Sequence, residues 1–162
     1  MTTLQDWTAF FAPEVGATAA LAGLVIVAIS INLAKILEFV PLVARAGETL
    51  VMLIGAMLAA SIMLVPQSDM LKGAEIAVVG AFVWAAPTIA QTRAAFLPRA
   101  DARDRPLVRF LFTQLTTVPA LAGGALLWAG AESGVYWIAA GVLMALVAGV
   151  MNTWVLLIEI LR

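Results

Sequence analysis

Few side chains in this sequence could carry chemistry, and the amides and carboxylates among them lie near the ends of long apolar stretches. Asn152 and Glu159 are seven residues apart, so one helix face would present both. Such groups are costly inside a membrane unless they are paired, and they therefore face a bundle interior or a wet cavity. The predicted ligand- or ion-binding residues are Asn32, Lys35, Glu48, Gln91, Gln114, Asn152 and Glu159.

These residues also have a purely structural interpretation, which the sequence leaves open. Glu159 could pair with Lys35 or with an arginine at the same membrane face. The amides could form hydrogen bonds between helices, each worth about 0.6 kcal/mol on average in membranes. The functional interpretation is a pocket at one membrane depth that binds an ion, a lipid headgroup or a small polar ligand.

The composition excludes several kinds of reaction. The chain contains no His and no Cys, which removes disulfides, thiolate nucleophiles and imidazole bases. Haem ligation and tetrahedral zinc sites depend mainly on those two residue types. The sequence also lacks G-x-S-x-G and paired acids in adjacent turns of one span. We therefore expect no enzyme, no catalytic residue, no cofactor and no metal site.

The distribution of charge predicts a membrane protein. Hydrophobic residues make up 64% of the 162 residues and charged residues 12%, against roughly half and a quarter in soluble domains. Five uncharged windows of 17 to 26 residues separate the charges, and a helix needs roughly 20 apolar residues to cross a bilayer. The prediction is an all-α bundle of five transmembrane helices in one domain, with spans at about 15–34, 48–67, 73–94, 109–130 and 134–160.

A short aromatic segment precedes the first span. Residues 4–11 contain Trp7, Phe10 and Phe11 and are followed by Pro13. Aromatic residues favour the headgroup zone of a membrane. A proline tends to end the helix that precedes it in the chain. This pattern predicts a separate interfacial helix that Pro13 closes.

The basic residues fix the predicted orientation. Eight of the nine lie in alternate connections and at the end of the chain, and only Lys72 lies on the other side. The positive-inside rule then places the N-terminus outside and the C-terminus in the cytoplasm. In the longest cytoplasmic connection, we expect lipid headgroup contacts from Arg99, Arg103, Arg105 and Arg109. The same arginines could instead serve only to set the topology.

Small residues predict how the helices pack. Burial from water cannot drive helix association within lipid, so small residues that allow close approach take that role. The best such pattern is Gly141, Ala145 and Gly149 in the fifth span. Packing within the bundle and packing against a second copy are both compatible with it.

Three stretches carry a resemblance to a known group. They are Asn152 to Ile160, Ser30 to Leu33 followed by Ile36 and Leu37, and the pair Tyr136 and Trp137. Together they resemble an uncharacterised family of small bacterial inner-membrane proteins with five spans. The resemblance implies a bacterial inner-membrane location and no mechanism.

Two functions fit these features. The first is a non-enzymatic multi-pass membrane protein whose cytoplasmic-leaflet polar cluster binds lipid, a small ligand or a partner helix. Its expected partners are membrane lipids and either a second copy or another membrane protein, with no nucleic acid. The alternative is an oligomeric ion channel or small-solute transporter subunit, although the outer halves of the spans lack a polar stripe that would line a pore.

Overall fold

The computed structural model describes residues 7–38, 40–95 and 106–158. These residues form six helices and no strand, and five of the helices are long and apolar enough to cross a membrane. The prediction of an all-helical protein with five apolar spans is therefore confirmed. The helices are α1 (Thr8–Ile31), α2 (Leu33–Glu38), α3 (Val40–Leu64), α4 (Asp69–Ala95), α5 (Pro106–Trp128) and α6 (Gly134–Ile158).

The start of α1 differs from the expected interfacial helix. In the described part of segment 4–11, Trp7 is the N-cap of α1 and residues 8–11 form its first turn, and Pro13 lies inside the helix. Phe11, expected among headgroups, is only 1% exposed and belongs to the main apolar core. The ring of Trp7 lies edge-on to that of Tyr136 in α6, with 4.9 Å between the ring centroids. Packing against the bundle therefore accounts for a helix that continues through the proline.

Asn32 separates α1 from α2. Its backbone has φ −105° and ψ 16°, outside helical values, although its amide N–H still donates to the carbonyl of Ala28. The next hydrogen bond, from Ile36 to the carbonyl of Asn32, resumes the helical pattern at once. The short helix α2 then leads toward α3, which packs against α1.

Four helices form a closed ring. Helix α4 packs against α3 and α5, and α6 packs against α5 and α3, so α3 and α5 lie diagonally opposite each other. Helix α1 covers the outside of α3 and α6. Alternation of direction along the chain places the end of α4, the start of α5 and the end of α6 near the start of α3. We call this end of the bundle the polar end.

The small residues of α6 contact other helices of the same chain. A Cβ added at Gly141 would lie 2.7 Å from the backbone nitrogen of Ala120 in α5. One added at Gly149 would lie 2.7 Å from a methyl group of Leu21 and 2.8 Å from one of Leu53. Ala145, between them, is 4% exposed. The close approach of α6 to its neighbours thus depends on these positions being glycines, which have no side chain.

Candidate functional site

An ion pair joins α3 to α5 at the polar end. Arg109 donates from Nη2 to Oε1 of Glu48 at 2.7 Å and from Nε to Oε2 at 3.1 Å. The side chain of Glu48 is 11% exposed and that of Arg109 is 24% exposed. A two-point pair of this kind fixes the plane of the guanidinium as well as its distance from the carboxylate.

Helix α4 joins this pair through Gln91. The Gln91 amide nitrogen donates to Oε2 of Glu48 at 3.0 Å and to the hydroxyl of Thr113 at 2.8 Å. The Thr113 hydroxyl in turn donates to the backbone carbonyl of Arg109. We call Glu48, Gln91, Arg109 and Thr113 the Glu48 cluster. It ties three helices of the ring together at one end.

One atom of the Glu48 cluster lacks a partner. The side-chain oxygen Oε1 of Gln91 is buried and accepts no hydrogen bond in the described part of the chain. The amide nitrogen of the same side chain already serves two acceptors. Gln91 is therefore oriented by its donor end, toward the carboxylate and the hydroxyl.

The guanidinium of Arg109 has a second edge. An arginine carries five N–H groups in a planar fork, and Glu48 takes one from Nε and one from Nη2. The remaining edge, formed by Nη1 and the second N–H of Nη2, bonds to none of the described residues. This edge has the geometry that binds a carboxylate or a phosphate at two points.

A second cluster ties α3 to α6. Asn152 accepts from Nε of Arg45 at 3.0 Å and donates to the hydroxyl of Thr49 at 2.9 Å. The Thr49 hydroxyl also donates to the backbone carbonyl of Arg45. We call Arg45, Thr49 and Asn152 the Asn152 cluster. Because Thr49 directly follows Glu48, α3 carries the two clusters on adjoining faces.

Gln114 lies in a separate contact between α4 and α5. Its side-chain oxygen accepts from Nε1 of Trp84 at 2.6 Å, and its amide nitrogen donates to the hydroxyl of Thr88 at 3.0 Å. Both ends of the amide are thus used between the same two helices. Two of the seven predicted ligand-binding residues, Glu48 and Gln91, are joined directly by a hydrogen bond.

The other predicted residues have different settings. Asn32 is 5% exposed, and its side-chain amide donates to the carbonyl of Ala28 at 3.3 Å. Lys35 is exposed on α2. Arg109, expected at lipid headgroups, pairs with Glu48 through one edge. The other predicted residues, Glu159, Arg99, Arg103 and Arg105, lie outside the described residues.

Sequence reasoning left Arg45 and Thr113 out of the candidate site. The sequence does contain a pattern that indicates them, an arginine followed four residues later by a threonine. It occurs at Arg45 and Thr49 and again at Arg109 and Thr113. Residues four apart share a helix face, so each arginine marks the face that its threonine presents to a neighbouring helix.

Comparisons of the chain with models of known families, with curated proteins and with solved structures give no match.

Proposed function

We propose that this protein is a non-enzymatic, multi-pass protein of the bacterial inner membrane that binds anionic lipid headgroups at the polar end. In this proposal the polar end faces the cytoplasm and the N-terminus lies outside. The second edge of the Arg109 guanidinium is the observation that carries the proposal. A lipid phosphate offers the paired oxygens that this edge binds.

The two-point pair with Glu48 holds the Arg109 guanidinium in a fixed orientation, which supports specific recognition of a phosphate rather than simple charge attraction. Ordering a long side chain costs up to about 2 kcal/mol of conformational entropy. Glu48 fixes the guanidinium before any ligand arrives, so a phosphate bound at the second edge does not meet that cost again. Arg109 lies in the first turn of α5, at the depth where a span meets the headgroup layer.

The charge of the polar end supports an anionic ligand. Glu48 neutralises Arg109, so the attraction has to come from the surrounding residues. Among the described residues of this end, the bases Lys35, Arg45, Arg93 and Arg109 outnumber the acids Glu38 and Glu48. Basic residues at the cytoplasmic surface each contribute about 1 kcal/mol of attraction to anionic lipid.

The location rests on the apolar spans and the distribution of charge. Five helices are long and apolar enough to cross a membrane, which supports a multi-pass protein. The basic residues at the polar end favour a cytoplasmic placement of that end. The resemblance of the tail from Asn152 to small bacterial inner-membrane proteins supports the same location.

Lipid enrichment around the purified protein tests the function. The protein is reconstituted in nanodiscs that contain phosphatidylcholine and phosphatidylglycerol, and mass spectrometry then counts the lipids retained after partial removal with detergent. We expect wild type to retain phosphatidylglycerol in preference to phosphatidylcholine. Equal retention of the two lipids would contradict the proposal.

Two variants identify the group responsible. Arg109→Lys keeps the charge but loses the planar fork that holds a phosphate at two points, so we expect the retention of phosphatidylglycerol to fall by more than the loss of one exposed charge would cause. Arg93→Gln removes one exposed charge from the same end of the bundle and serves as the matched control. We expect it to weaken retention by only about fivefold, the equivalent of about 1 kcal/mol. If Arg109→Lys retained phosphatidylglycerol as wild type does, the guanidinium fork would not be the binding group.

A further inference from the structure

A small cavity lies inside the ring formed by α3, α4, α5 and α6. All four helices contribute to its wall, which includes Met52, Ala59, Val83, Thr117, Ala120 and Ala145. The space open to the centre of a water-sized sphere is about 20 Å³. The cavity is therefore small enough for one molecule of a few atoms to fill it.

The wall offers almost nothing to a polar occupant. Its only polar side chains are Thr116 and Thr117, and no charged residue lines it. The Thr117 hydroxyl donates to the carbonyl of Thr113 at 2.8 Å. The Thr116 hydroxyl donates to the same carbonyl at 2.9 Å and lies 3.2 Å from the sulfur of Met52. Neither hydroxyl proton is left for a guest.

Water is therefore a poor occupant. A buried water typically makes about three hydrogen bonds, and apolar cavities without such partners stay dry. Two threonine oxygens could accept from a water here, but nothing in the wall would donate to it. An apolar guest meets no such cost.

Short side chains leave the space open. Ala59, Ala120 and Ala145 each present a single methyl group to it. Atoms that line a void lose the dispersion contacts that a filled core provides, and the free energy of unfolding decreases as the void grows. A guest of matching size would restore those contacts without any change in the helices.

We infer that this cavity is a binding site for a small apolar molecule that dissolves in the bilayer, such as dioxygen. The inference is independent of lipid binding at the polar end, because it rests on the ring interior alone. Such a molecule would reach the site from the surrounding lipid, where apolar gases concentrate.

Xenon is a suitable probe, because it is a single apolar atom that is known to enter dry apolar cavities in proteins. The protein is labelled with ¹³C at its methionine methyl groups and studied by NMR in micelles over a range of xenon pressures. Met52 lines the cavity, whereas Met151 is 54% exposed on the outer surface of α6. We expect a saturable shift of the Met52 methyl signal and only a linear, non-saturating shift for Met151.

Filling the cavity is the decisive control. Ala145→Leu places a larger side chain in the wall, and we expect it to abolish the saturable Met52 response. Ala125→Leu makes the same change at an exposed position of α5 and should leave the response intact. Ala56 also lines the cavity. Ala56→Val fills less of the space and replaces Ala145→Leu if the methionine spectrum shows that the larger substitution disrupts the fold.

Three results would overturn the inference. In the first, Met52 shifts no more with xenon than Met151. In the second, the saturable response survives a folded cavity-filling variant. In the third, the Met52 methyl shows a nuclear Overhauser effect to a long-lived water, which would mean that the cavity is hydrated.

Discussion

Glu48 and Arg109 join α3 and α5 diagonally across the four-helix ring through two hydrogen bonds of 2.7 and 3.1 Å. Neighbouring helices of the ring pack side by side, whereas α3 and α5 make few direct contacts with each other. The pair therefore acts as a brace, and Gln91 attaches α4 to the same carboxylate.

The brace predicts strong coupling between its two residues. Glu48→Gln leaves Arg109 partly buried without its counter-charge, and we expect the free energy of unfolding to decrease by about 2 kcal/mol. Arg109→Gln should cost a similar amount. The double variant should cost less than the sum of the two, since neither charge then remains unpaired. Unfolding in mixed micelles with increasing dodecyl sulfate measures all four proteins, and strict additivity would mean that the two residues do not interact.

The Asn152 cluster predicts a smaller effect. Asn152→Leu removes the hydrogen bonds to Arg45 and Thr49, and at about 0.6 kcal/mol for each the free energy of unfolding should decrease by about 1 kcal/mol. Thr49→Val removes one of the same bonds, so Thr49→Val combined with Asn152→Leu should cost little more than Asn152→Leu alone. A full additional loss in the double variant would argue against the contact.

Two glycines, one at a helix contact and one away from any contact, allow a matched test of close helix packing. A methyl group at Gly141 would collide with the backbone of Ala120, whereas one at Gly23 would meet no atom within 4 Å. We expect Gly141→Ala to lower the melting temperature. Gly23→Ala should keep or raise it, since alanine stabilises a helix interior by about 0.5–1 kcal/mol relative to glycine. The same sign of change for both variants would contradict the packing of α5 against α6.

The orientation has a direct test, because no native cysteine has to be removed. Ser133→Cys lies between α5 and α6, and Glu38→Cys lies at the end of α2, and both positions are exposed. A maleimide that cannot cross membranes should label the first in intact spheroplasts and the second only after lysis. The reverse pattern would place the polar end outside, and labelling of both in intact spheroplasts would contradict the three membrane crossings, by α3, α4 and α5, that separate the two positions.

The helical spans could be predicted from the sequence because charged residues are scarce and mark the two ends of each apolar window. The boundaries were less accessible, as α1 shows. Its aromatic residues are typical of a headgroup segment, but Phe11 is buried against other helices, and only the assembled bundle supplies that contact. Local spacing carries no information about which distant helix a side chain will face.

The candidate site shows the same division. The sequence predicts Glu48 and Gln91 as site residues because such groups need partners inside a membrane, and the structure defines the partner of each. Arg109 was assigned to lipid because it lies in an arginine-rich connection. Nothing in that connection indicates Glu48, which is 61 residues away in the sequence. The rotation of α3 and α5 about their axes decides the pairing, and that rotation depends on the packing of the whole ring.

The threonines of α5 find hydrogen-bond partners within their own helix, whereas Glu48 needs an ion-pair partner from a helix that is synthesised later. Thr113, Thr116 and Thr117 donate to carbonyls of their own helix, so α5 can enter the lipid bilayer with these hydroxyls already satisfied. Glu48 is synthesised before Arg109 and has no ion-pair partner until α5 arrives. We therefore expect α3 to keep its first turns in water at the membrane surface until translation has delivered α5, so that insertion of α3 is completed by a helix made later.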